Sequence, residues 1–406
     1  MKLLEGIKVV EFATFVAVPI MTRVLADWGA EVIKIEAAGG DEWRKQGGGN
    51  NLPIEDDCNP EFSMVNGGKR FLSLNLKKPE GKEALLKLLA DADIFVSNIR
   101  WESIVRLGLD YDTLHEMFPR LIYFHFTGFG YDGPGKARPG FDSSAFWASS
   151  GLLYEFPEKG SHPLTAAAGF GDSTSASSAL SGVMGALYHR AMTGNGIRVT
   201  TSLYANAIWY NFSRITACQE RKDGRIAPVY PRSHQDADHP FINIYQCKDE
   251  RWILLGAYYS TRFEAIMQVL ELEEYITDER FSTEENMYRN KRALRDLFAE
   301  AFKKKTVAEW SELLLARDVA HQKLVNSSEV SKDEQAWAND YLTNVQFPNG
   351  EEYILPNSPV TFYGLERMPS RHAGGIGCNT TEILTECGYT PEQIRQMMDS
   401  GAAAGI

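Results

Sequence analysis

The 406-residue sequence lacks any apolar run near the ~20 residues that a membrane-spanning helix requires. Glu5 and Lys8 stand where a secretory signal needs a continuous apolar segment, so we expect neither a signal peptide nor a membrane partner. The five cysteines are scattered and contain no C-x-x-C pair, which favours reduced thiols and a cytoplasmic location. A formal net charge of -12 argues against nucleic acid as a partner.

Several signatures of common enzyme classes are also absent. The first βα turn, residues 13–19, has no G-x-G-x-x-G, which argues against a Rossmann dinucleotide site. The chain also has no P-loop, no H-E-x-x-H and no G-x-S-x-G. His234 and His239 lie near Asp236 and Asp238, but the segment has the composition of a polar loop, so we expect no metal there.

Short β-rich runs alternate with helical periodicity in the first half of the chain. Such alternation predicts an α/β fold with a Rossmann-like parallel sheet, and a nucleotide-type ligand is then expected at the carboxyl ends of the strands. The predicted strands are 6–12, 31–36, 71–75, 94–97 and 121–127, and the predicted helices include one near Pro19 and one at 79–90.

The pattern changes near residue 206. Residues 241–247 and 252–255 predict a β-hairpin, and helices follow. Capping boxes are expected at Ser282 with Glu285, Thr306 with Glu309 and Thr390 with Gln393, and Phe347–Gly350 is a turn signal between two strands. We predict a large domain (1–205), a linker (206–225), a smaller α+β domain (226–325) and a return segment that packs on the large domain (326–406).

One carboxylate, Asp172, follows two glycines and precedes a run of small residues that becomes a helix. From the residues alone, the commoner explanation is that Asp172 caps this helix. The alternative is a nucleophile, because the glycines admit a ligand and the free helix N–H groups would stabilise an oxyanion. With an unperturbed pKa of about 3.9, Asp172 is expected to be ionised near pH 7.

Basic residues cluster around the predicted strand at 71–75 and after each of the next two predicted strands. Any one of them is best explained as a solvated surface charge, but together they predict a site for a phosphorylated ligand. The clusters are Lys69, Arg70, Lys77 and Lys78; Arg100 and Arg106; and Lys136 with Arg138.

The order of motifs resembles the family III CoA-transferases, the CaiB/BaiF family, along nearly the whole chain. The segment 333–342 is especially similar to a subgroup from amino-acid-fermenting anaerobes. Members of that subgroup move CoA between a 2-enoyl-CoA or 2-hydroxyacyl-CoA and a free 2-hydroxy acid, such as 2-hydroxyisocaproate or phenyllactate. The other similar pieces are Gly6–Phe12, Asp27–Glu36, Asn66–Lys69, Lys77–Lys82, Ala92–Ile94, Arg106–Gly108, Arg138–Asp142, Gly171–Asp172 and Thr193–Gly196.

The resemblance implies an intertwined homodimer that uses acyl-CoA and a carboxylic acid as substrates, with no tightly bound cofactor and no metal. Transfer would pass through an anhydride and an aspartyl-CoA thioester on the nucleophile Asp172. The resemblance also places six residues around CoA: Lys77, Asn98, Arg106 and Arg138 on its phosphates, ribose and adenine, and Val16 and Leu74 as lining residues.

The chain departs from the oxalate-utilising members of the family. Ala37 replaces an arginine on CoA, Val16 replaces an active-site glutamine, and residues 233–240 lack a glycine-rich loop, which together favour a bulkier, less polar acyl group. Acyl-CoA racemases share the fold and pair the aspartate with a histidine, whose position is Phe141 here. Asp142 is then expected to be structural or gating. A racemase and a CoA-binding dimer without transferase activity are the alternatives.

Overall fold

The computed structural model describes residues 2–222, 233–234, 239–366 and 368–405. The chain divides into two compact units. The first contains the described parts of 1–153, 165–226 and 334–406, and the second those of 154–164 and 227–333. None of the helices in these described segments is both long and apolar enough to cross a membrane.

The strands alternate with helices through the first 200 residues. The strands are β1 (Lys8–Phe12), β2 (Glu31–Glu36), β3 (Arg70–Leu74), β4 (Ile94–Ser97), β5 (Ile122–Thr127), β6 (Arg198–Ser202), β7 (Ile242–Gln246), β8 (Trp252–Gly256), β9 (His321–Lys323), β10 (Leu342–Gln346), β11 (Glu352–Pro356) and β12 (Ala403–Ala404). The helices are α1 (Ala17–Asp27), α2 (Pro60–Asn66), α3 (Pro79–Ala90), α4 (Trp101–Leu107), α5 (Tyr111–Met117), α6 (Leu152–Glu155), α7 (Phe170–Thr193), α8 (Leu203–Tyr210), α9 (Phe212–Ala217), α10 (Tyr259–Val269), α11 (Glu284–Arg289), α12 (Lys291–Phe302), α13 (Val307–Leu315), α14 (Ser327–Val330), α15 (Glu334–Ala338), α16 (Thr380–Glu386) and α17 (Pro391–Ser400).

Seven strands form the sheet of the first unit, in the order β12-β3-β2-β1-β4-β5-β6. β1 to β6 are parallel, and β12 pairs antiparallel with β3. In the centre of the sheet, Val9 of β1 lies opposite Val32 of β2 and Ile94 of β4. The parallel sheet that the sequence predicts is therefore confirmed.

Helices cover both faces of this sheet. Successive side chains of a strand point to opposite faces, so neighbouring residues pack against different helices. Val9 packs with Met21 of α1 and Val183 of α7, whereas the next residue, Val10, packs with Leu85 of α3 on the other face. Burial of each such aliphatic side chain contributes about 1.5–3 kcal/mol. The sheet is thus fixed from both sides, and its carboxyl edge is left to the connecting loops.

The predicted helix starts are confirmed at two of three positions. Thr306 and Thr390 each accept the N–H of the residue three positions later in a capping box. At α11 the cap is Thr283 rather than Ser282, whose hydroxyl donates to the carbonyl of Glu279 instead. The predicted β7–β8 hairpin and the β10–β11 turn are both present.

The second unit contains a three-stranded antiparallel sheet, β7-β8-β9, and the helices α10 to α14. Its core is aromatic: Phe241, Phe298 and Trp310 are all fully buried, and the rings of Phe241 and Phe298 meet edge to face at 5.3 Å.

Candidate active site

A cavity of about 910 Å³ is lined by the segments that follow β1, β2, β4 and β5, together with the start of α7. Sites for small molecules have volumes of about 300–1,000 Å³. In an open α/β sheet, the carboxyl ends of the strands are where ligands bind. The cavity therefore lies where the sequence predicts the ligand.

Asp172 faces this cavity from the first turn of α7. The cap position of the helix is Gly169, whose φ of +79° favours glycine, and the helix begins at Phe170. Asp172 is the third residue of the helix, so the explanation of Asp172 as a helix cap is wrong. Its side chain is half-buried at the cavity wall.

The carboxylate of Asp142 caps α7 instead. Its Oδ1 accepts the backbone N–H of Asp172 at 3.0 Å, and the N–H groups of Gly169 and Gly171 also donate to this carboxylate. A Cβ at Gly171 would lie 2.4 Å from the same oxygen and 2.4 Å from Phe146 Cγ, so only glycine fits there. The sequence predicts that free N–H groups at the start of α7 would stabilise an oxyanion. In the structure these N–H groups donate to Asp142 instead.

The pKa values of both carboxyl groups, Asp172 and Asp142, are raised. Burial raises the pKa of Asp172 to about 7, and the negative charge of Asp142 adds to the rise. Burial also raises the pKa of Asp142, although the N–H donors of α7 oppose this by favouring its ionised form. The expectation of an Asp172 that is ordinarily acidic is therefore wrong. A carboxyl with a raised pKa at a cavity is typical of catalytic sites.

The loop between β1 and α1 forms another wall of the cavity. The side chain of Asn98 holds this loop, since its Oδ1 accepts the N–H of Thr14 at 2.9 Å and its Nδ2 donates to the carbonyl of Thr14 at 2.7 Å. Val16 follows, and its Cγ1 lies 3.7 Å from where a Cβ on Gly169 would be. The structure thus brings Val16, Asn98 and Asp172 to one cavity.

Phe15 and Trp43 line the cavity, and the buried Asp41 supports them from beneath, but all three were missed in the sequence. Phe15 has a φ of +63°, and its N–H donates to Asp41 Oδ1 at 3.1 Å. The same oxygen accepts the N–H of Trp43 at 3.0 Å. One signal was available, because Asp41 follows Gly39 and Gly40 in the loop after β2, at the edge where ligands bind.

A buried network of charges lies beneath this loop. Lys34 Nζ is 2.7 Å from Glu11 and 2.9 Å from Asp41, and Lys69 Nζ is 2.8 Å from Glu11. Although burial opposes it, the charges of Lys34 and Lys69 lower the pKa of Glu11 to about 2. Lys69 was predicted in a phosphate-binding cluster. It has a structural role instead, and removal of one such partner costs about 3–5 kcal/mol.

Two more members of that first basic cluster are engaged in the fold. Arg70 forms ion pairs with Glu31 at 2.5 Å and with Glu386 at 2.8 Å. The ammonium group of Lys78 donates to the carbonyl of Ser400. The prediction that this cluster binds phosphate therefore does not hold for Arg70 and Lys78 either.

Basic side chains nevertheless reach the cavity. Arg138, Lys136 and Arg100 are among its lining residues, and Arg138 is exposed, with its guanidinium 4.9 Å from the centre of the Phe129 ring. An arginine held on an aromatic face keeps its five donors available for an anion.

The remaining predicted CoA contacts lie outside the cavity lining, as far as the described residues show. Lys77 is exposed just after β3, two strands from β1 and hence roughly 10 Å along the same edge. Arg106 is exposed on α4 and donates to the hydroxyl of Ser103 at 2.9 Å, and Ser103 lines the cavity. Leu74 is only 2% exposed and packs in the core.

The residue at the histidine position of the racemases has no proton to transfer. Phe141, 55% exposed, occupies the cavity wall next to Asp142. His125 also lines the cavity, but burial lowers its pKa to about 4, and its Nε2 lies 2.8 Å from the carbonyl oxygen of Ile99.

Across the described residues, no group of three or more His, Cys, Asp or Glu could hold a metal. The loop residues Asp236 and Asp238 lie outside them.

Comparison with known proteins gives consistent matches over nearly the whole chain. The family model described as CoA-transferase family III matches residues 4–380. An (R)-2-hydroxy-4-methylpentanoate CoA-transferase of Clostridioides difficile is 38% identical, and the alignment covers 98% of each chain. A cinnamoyl-CoA:phenyllactate CoA-transferase of Clostridium sporogenes is 35% identical, with 97% of this chain and 95% of the relative covered.

A solved structure agrees in fold. The crystal structure of a CaiB/BaiF family protein from Brucella suis superposes with a TM-score of 0.79 at 25% identity. The superposition covers 94% of this chain and 98% of the other. The architecture described above is therefore shared with that family over almost its full length.

Proposed function

Because the chain belongs to the CoA-transferase family III, we propose that this CoA-transferase moves CoA from an acyl-CoA to a free 2-hydroxy acid through covalent intermediates on Asp172. One observation carries the proposal: Asp172 lies at the cavity wall in the first turn of α7, with a pKa of about 7. A carboxylate in that position is both accessible to a thioester and unusually basic, and both properties favour nucleophilic attack.

The first half-reaction uses only this carboxylate and the substrate. An oxygen of Asp172 attacks the donor carbonyl, so that a C–O bond forms, the C–S bond breaks and CoA leaves as a thiolate. The thiolate then attacks the aspartyl carbonyl of the anhydride. This gives an aspartyl-CoA thioester and releases the donor acid as its carboxylate.

The second half-reaction is the reverse with another acid. The acceptor carboxylate attacks the aspartyl thioester and expels the thiolate, which attacks the acceptor carbonyl and regenerates Asp172. No net proton transfer is needed. Retention of CoA between the two halves keeps each step intramolecular, which raises the effective concentration of the thiolate.

The neighbouring carboxylate favours the covalent forms. Burial disfavours the negative charge of free Asp172, and repulsion by Asp142 adds to this, so that the pKa of Asp172 is raised. In the anhydride and in the thioester, residue 172 is neutral, so the repulsion ends. Asp142 therefore destabilises the free carboxylate relative to the intermediates while it holds the N–H groups of α7 in place.

The proposed acceptors are 2-hydroxy acids with an aliphatic or aromatic side chain, such as 2-hydroxyisocaproate or phenyllactate, and the donors are 2-enoyl-CoA or 2-hydroxyacyl-CoA. Two relatives over 30% identical are named for acids of this kind. Val16 and Ala37, where oxalate-utilising members have glutamine and arginine, leave the site less polar, which supports the same class.

For CoA itself, we propose that Val16, Asn98 and Arg138 contact the ligand at the cavity, with Lys77 and Arg106 on its outer nucleotide end. The two outer side chains are exposed and unscreened by the core, which supports this role. The burial of Leu74 gives no support to a direct contact. We propose CoA as a passing substrate, with no tightly bound cofactor.

We also propose that the chain works in the cytoplasm as an intertwined homodimer, with the domains divided at 1–205, 206–225, 226–325 and 326–406. Support for association comes from large apolar side chains exposed on α7, α8 and α9. Tyr188, Trp209 and Phe212 are 70%, 72% and 68% exposed, and exposed apolar surface of this kind marks interaction sites.

An acyl-CoA racemase is the second candidate, because the same fold hosts it. Racemisation exchanges the α-hydrogen with solvent, and Phe141 cannot transfer a proton. We expect negligible exchange into a 2-methylacyl-CoA in deuterated water under conditions in which transfer is complete. Exchange as fast as transfer would assign the chain to the racemases.

The proposed activity is tested by one panel of acceptors. An acyl-CoA is incubated with 2-hydroxyisocaproate, phenyllactate, oxalate and carnitine, and the CoA products are identified by mass spectrometry. We expect thioesters of the first two acids to dominate. A preference for oxalate or carnitine contradicts the substrate class, and retention on immobilised CoA without any transfer supports the binding-module alternative.

A further inference from the structure

Three aromatic side chains form one wall of the cavity. The ring of Phe15 meets that of Phe141 edge to face at 5.5 Å, and its centre lies 6.4 Å from that of the Trp43 ring. All three residues line the cavity. Phe141 is 55% exposed, whereas Phe15 and Trp43 are half-buried. A wall of exposed aromatic faces offers an apolar surface to a ligand.

The central residue of this wall is held in an unfavourable backbone conformation. Phe15 has a φ of +63°, which a bulky residue adopts only where the surrounding structure imposes it. Strain of this kind collects at sites that bind ligands. A glycine at position 15 would adopt this φ without strain. The presence of phenylalanine there therefore indicates that the ring itself has a role.

Polar groups fix this conformation from both sides. The N–H of Phe15 donates to Asp41. The N–H of the preceding residue, Thr14, donates to the side chain of Asn98, and the carbonyl of Thr14 accepts from it. Asp41 is anchored in turn by the buried ammonium of Lys34 at 2.9 Å. The ring is therefore pre-positioned, and little side-chain entropy is lost when a ligand packs against it.

The wall stands beside the nucleophile. Phe141 directly precedes Asp142, whose carboxylate accepts the N–H of Asp172. The residue after Phe15, Val16, lies close to Gly169 at the start of α7, with its Cγ1 3.7 Å from where a Cβ on Gly169 would be. An acyl group bound covalently at Asp172 thus has an apolar wall within reach of the carbon atoms beyond its carbonyl.

We propose that Phe15, with Phe141 and Trp43, forms the subsite for the acyl side chain, and that the Phe15 ring selects branched or aromatic acids over small ones. This inference rests on the proposed function for its reaction but names a residue that the reaction itself does not need. A methyl side chain would leave the wall uncovered, whereas an isobutyl or benzyl group would bury it, and each buried methylene adds to the discrimination.

The test compares two acceptors that differ only in the side chain, 2-hydroxy-4-methylpentanoate and lactate. Their kcat/KM values are measured for wild type, Phe15→Gly and Phe15→Ala. Glycine adopts the positive φ freely, so the Phe15→Gly protein is expected to fold even if Phe15→Ala is strained. Phe170→Ala is the matched control, since Phe170 is also 55% exposed, starts the helix of Asp172 and is not among the described lining residues.

We expect wild type to prefer the larger acid and both Phe15 variants to lose roughly 10-fold or more of that preference. Phe170→Ala should retain it. An unchanged preference in the Phe15 variants, or an equal loss in Phe170→Ala, overturns the proposal. Calorimetric affinities for the two corresponding CoA thioesters give a second readout. If wild type transfers CoA to no acid, the proposed function fails, yet discrimination in binding that Phe15→Gly abolishes still supports this subsite.

Discussion

The backbone N–H of Asp172 donates a 3.0 Å hydrogen bond to the carboxylate of Asp142, thirty residues earlier in the chain. The contact joins two of the acidic residues that line the cavity through the backbone N–H of Asp172 itself. It stabilises the charge on Asp142 at the helix N-terminus, where negative charge is favourable. Burial is the larger cause of the raised pKa of Asp172, and the negative charge of Asp142 adds to it, so Asp142 both positions the nucleophile and increases its basicity.

The raised pKa of Asp172 predicts a pH dependence. Only the carboxylate attacks a thioester, and with a pKa of about 7 its ionised fraction falls about tenfold for each pH unit well below 7. We expect kcat/KM for acyl-CoA to rise with pH, with an apparent pKa near 7, and to level off above it. A rate that is constant between pH 5 and 8 would show that Asp172 is ionised throughout.

The substitution Asp142→Asn separates the effect of the charge on Asp142 from the effect of its hydrogen bond. The amide oxygen can still accept the N–H of Asp172, but the negative charge is lost. We expect the acidic limb of the pH profile to move to lower pH, because one of the two causes of the raised pKa is removed. Asp142→Ala, which also removes the acceptor, should lower the free energy of unfolding by about 1 kcal/mol more. An unmoved pH profile in Asp142→Asn contradicts the coupling.

The binding of CoA by basic side chains is tested by replacing those side chains with alanine. Arg138→Ala should raise the KM for acyl-CoA roughly 10- to 100-fold, since a charge-assisted hydrogen bond contributes about 1.5–3 kcal/mol. Lys77→Ala and Arg106→Ala, farther along the edge, should have smaller effects that fade at high salt. Lys303→Ala is the control, because Lys303 is exposed in the second unit and pairs with Glu300. If all four variants bind like wild type, the nucleotide site lies elsewhere.

Two glycines of α7 give opposite expectations for the same substitution. Gly171→Ala places a Cβ 2.4 Å from the Asp142 oxygen and should disrupt the helix start, with losses of both stability and transfer. Gly185→Ala in the same helix meets open space and should raise the free energy of unfolding by up to about 1 kcal/mol, with activity retained. Thermal unfolding and transfer assays on both proteins measure this, and equal behaviour of the two contradicts the packing described at Gly171.

Much of the fold follows from local sequence. The strand at 94–97 and the helix at 79–90 have the predicted bounds, because a buried parallel strand reads as an unbroken apolar run and Pro79 stands at a helix start. The cap of α11 was misplaced by one residue, since Ser282 and Thr283 are both good caps and only the packed chain decides between them.

The sequence predicted only those features of the candidate site that do not depend on contacts between distant parts of the chain. The cavity position follows from the parallel sheet, but the pKa of Asp172 depends on Asp142, and the left-handed Phe15 depends on Asp41. Arg70 meets Glu386 across 316 residues of sequence. Contacts of that separation leave no mark on local pattern, so a structural cation cannot be distinguished from one that binds phosphate.

Substitution of Asp172 by asparagine separates the nucleophile from a structural residue. The amide cannot form an anhydride or an aspartyl thioester, so transfer should fall below detection. The same change removes a charge that burial disfavours, so the free energy of unfolding at pH 8 should rise, by on the order of 1–3 kcal/mol. A more stable but inactive protein is the signature of a residue kept for chemistry.

Covalent trapping on Asp172 tests the central claim most directly. Wild-type protein is incubated with acyl-CoA alone, treated with hydroxylamine, digested and mapped by mass spectrometry, with Asp172→Asn, checked for deamidation, in parallel. The account predicts a hydroxamate on the peptide that contains Asp172 in wild type and no such mark in the variant. A folded Asp172→Asn protein that transfers CoA, or a wild-type label on another carboxylate, would contradict it.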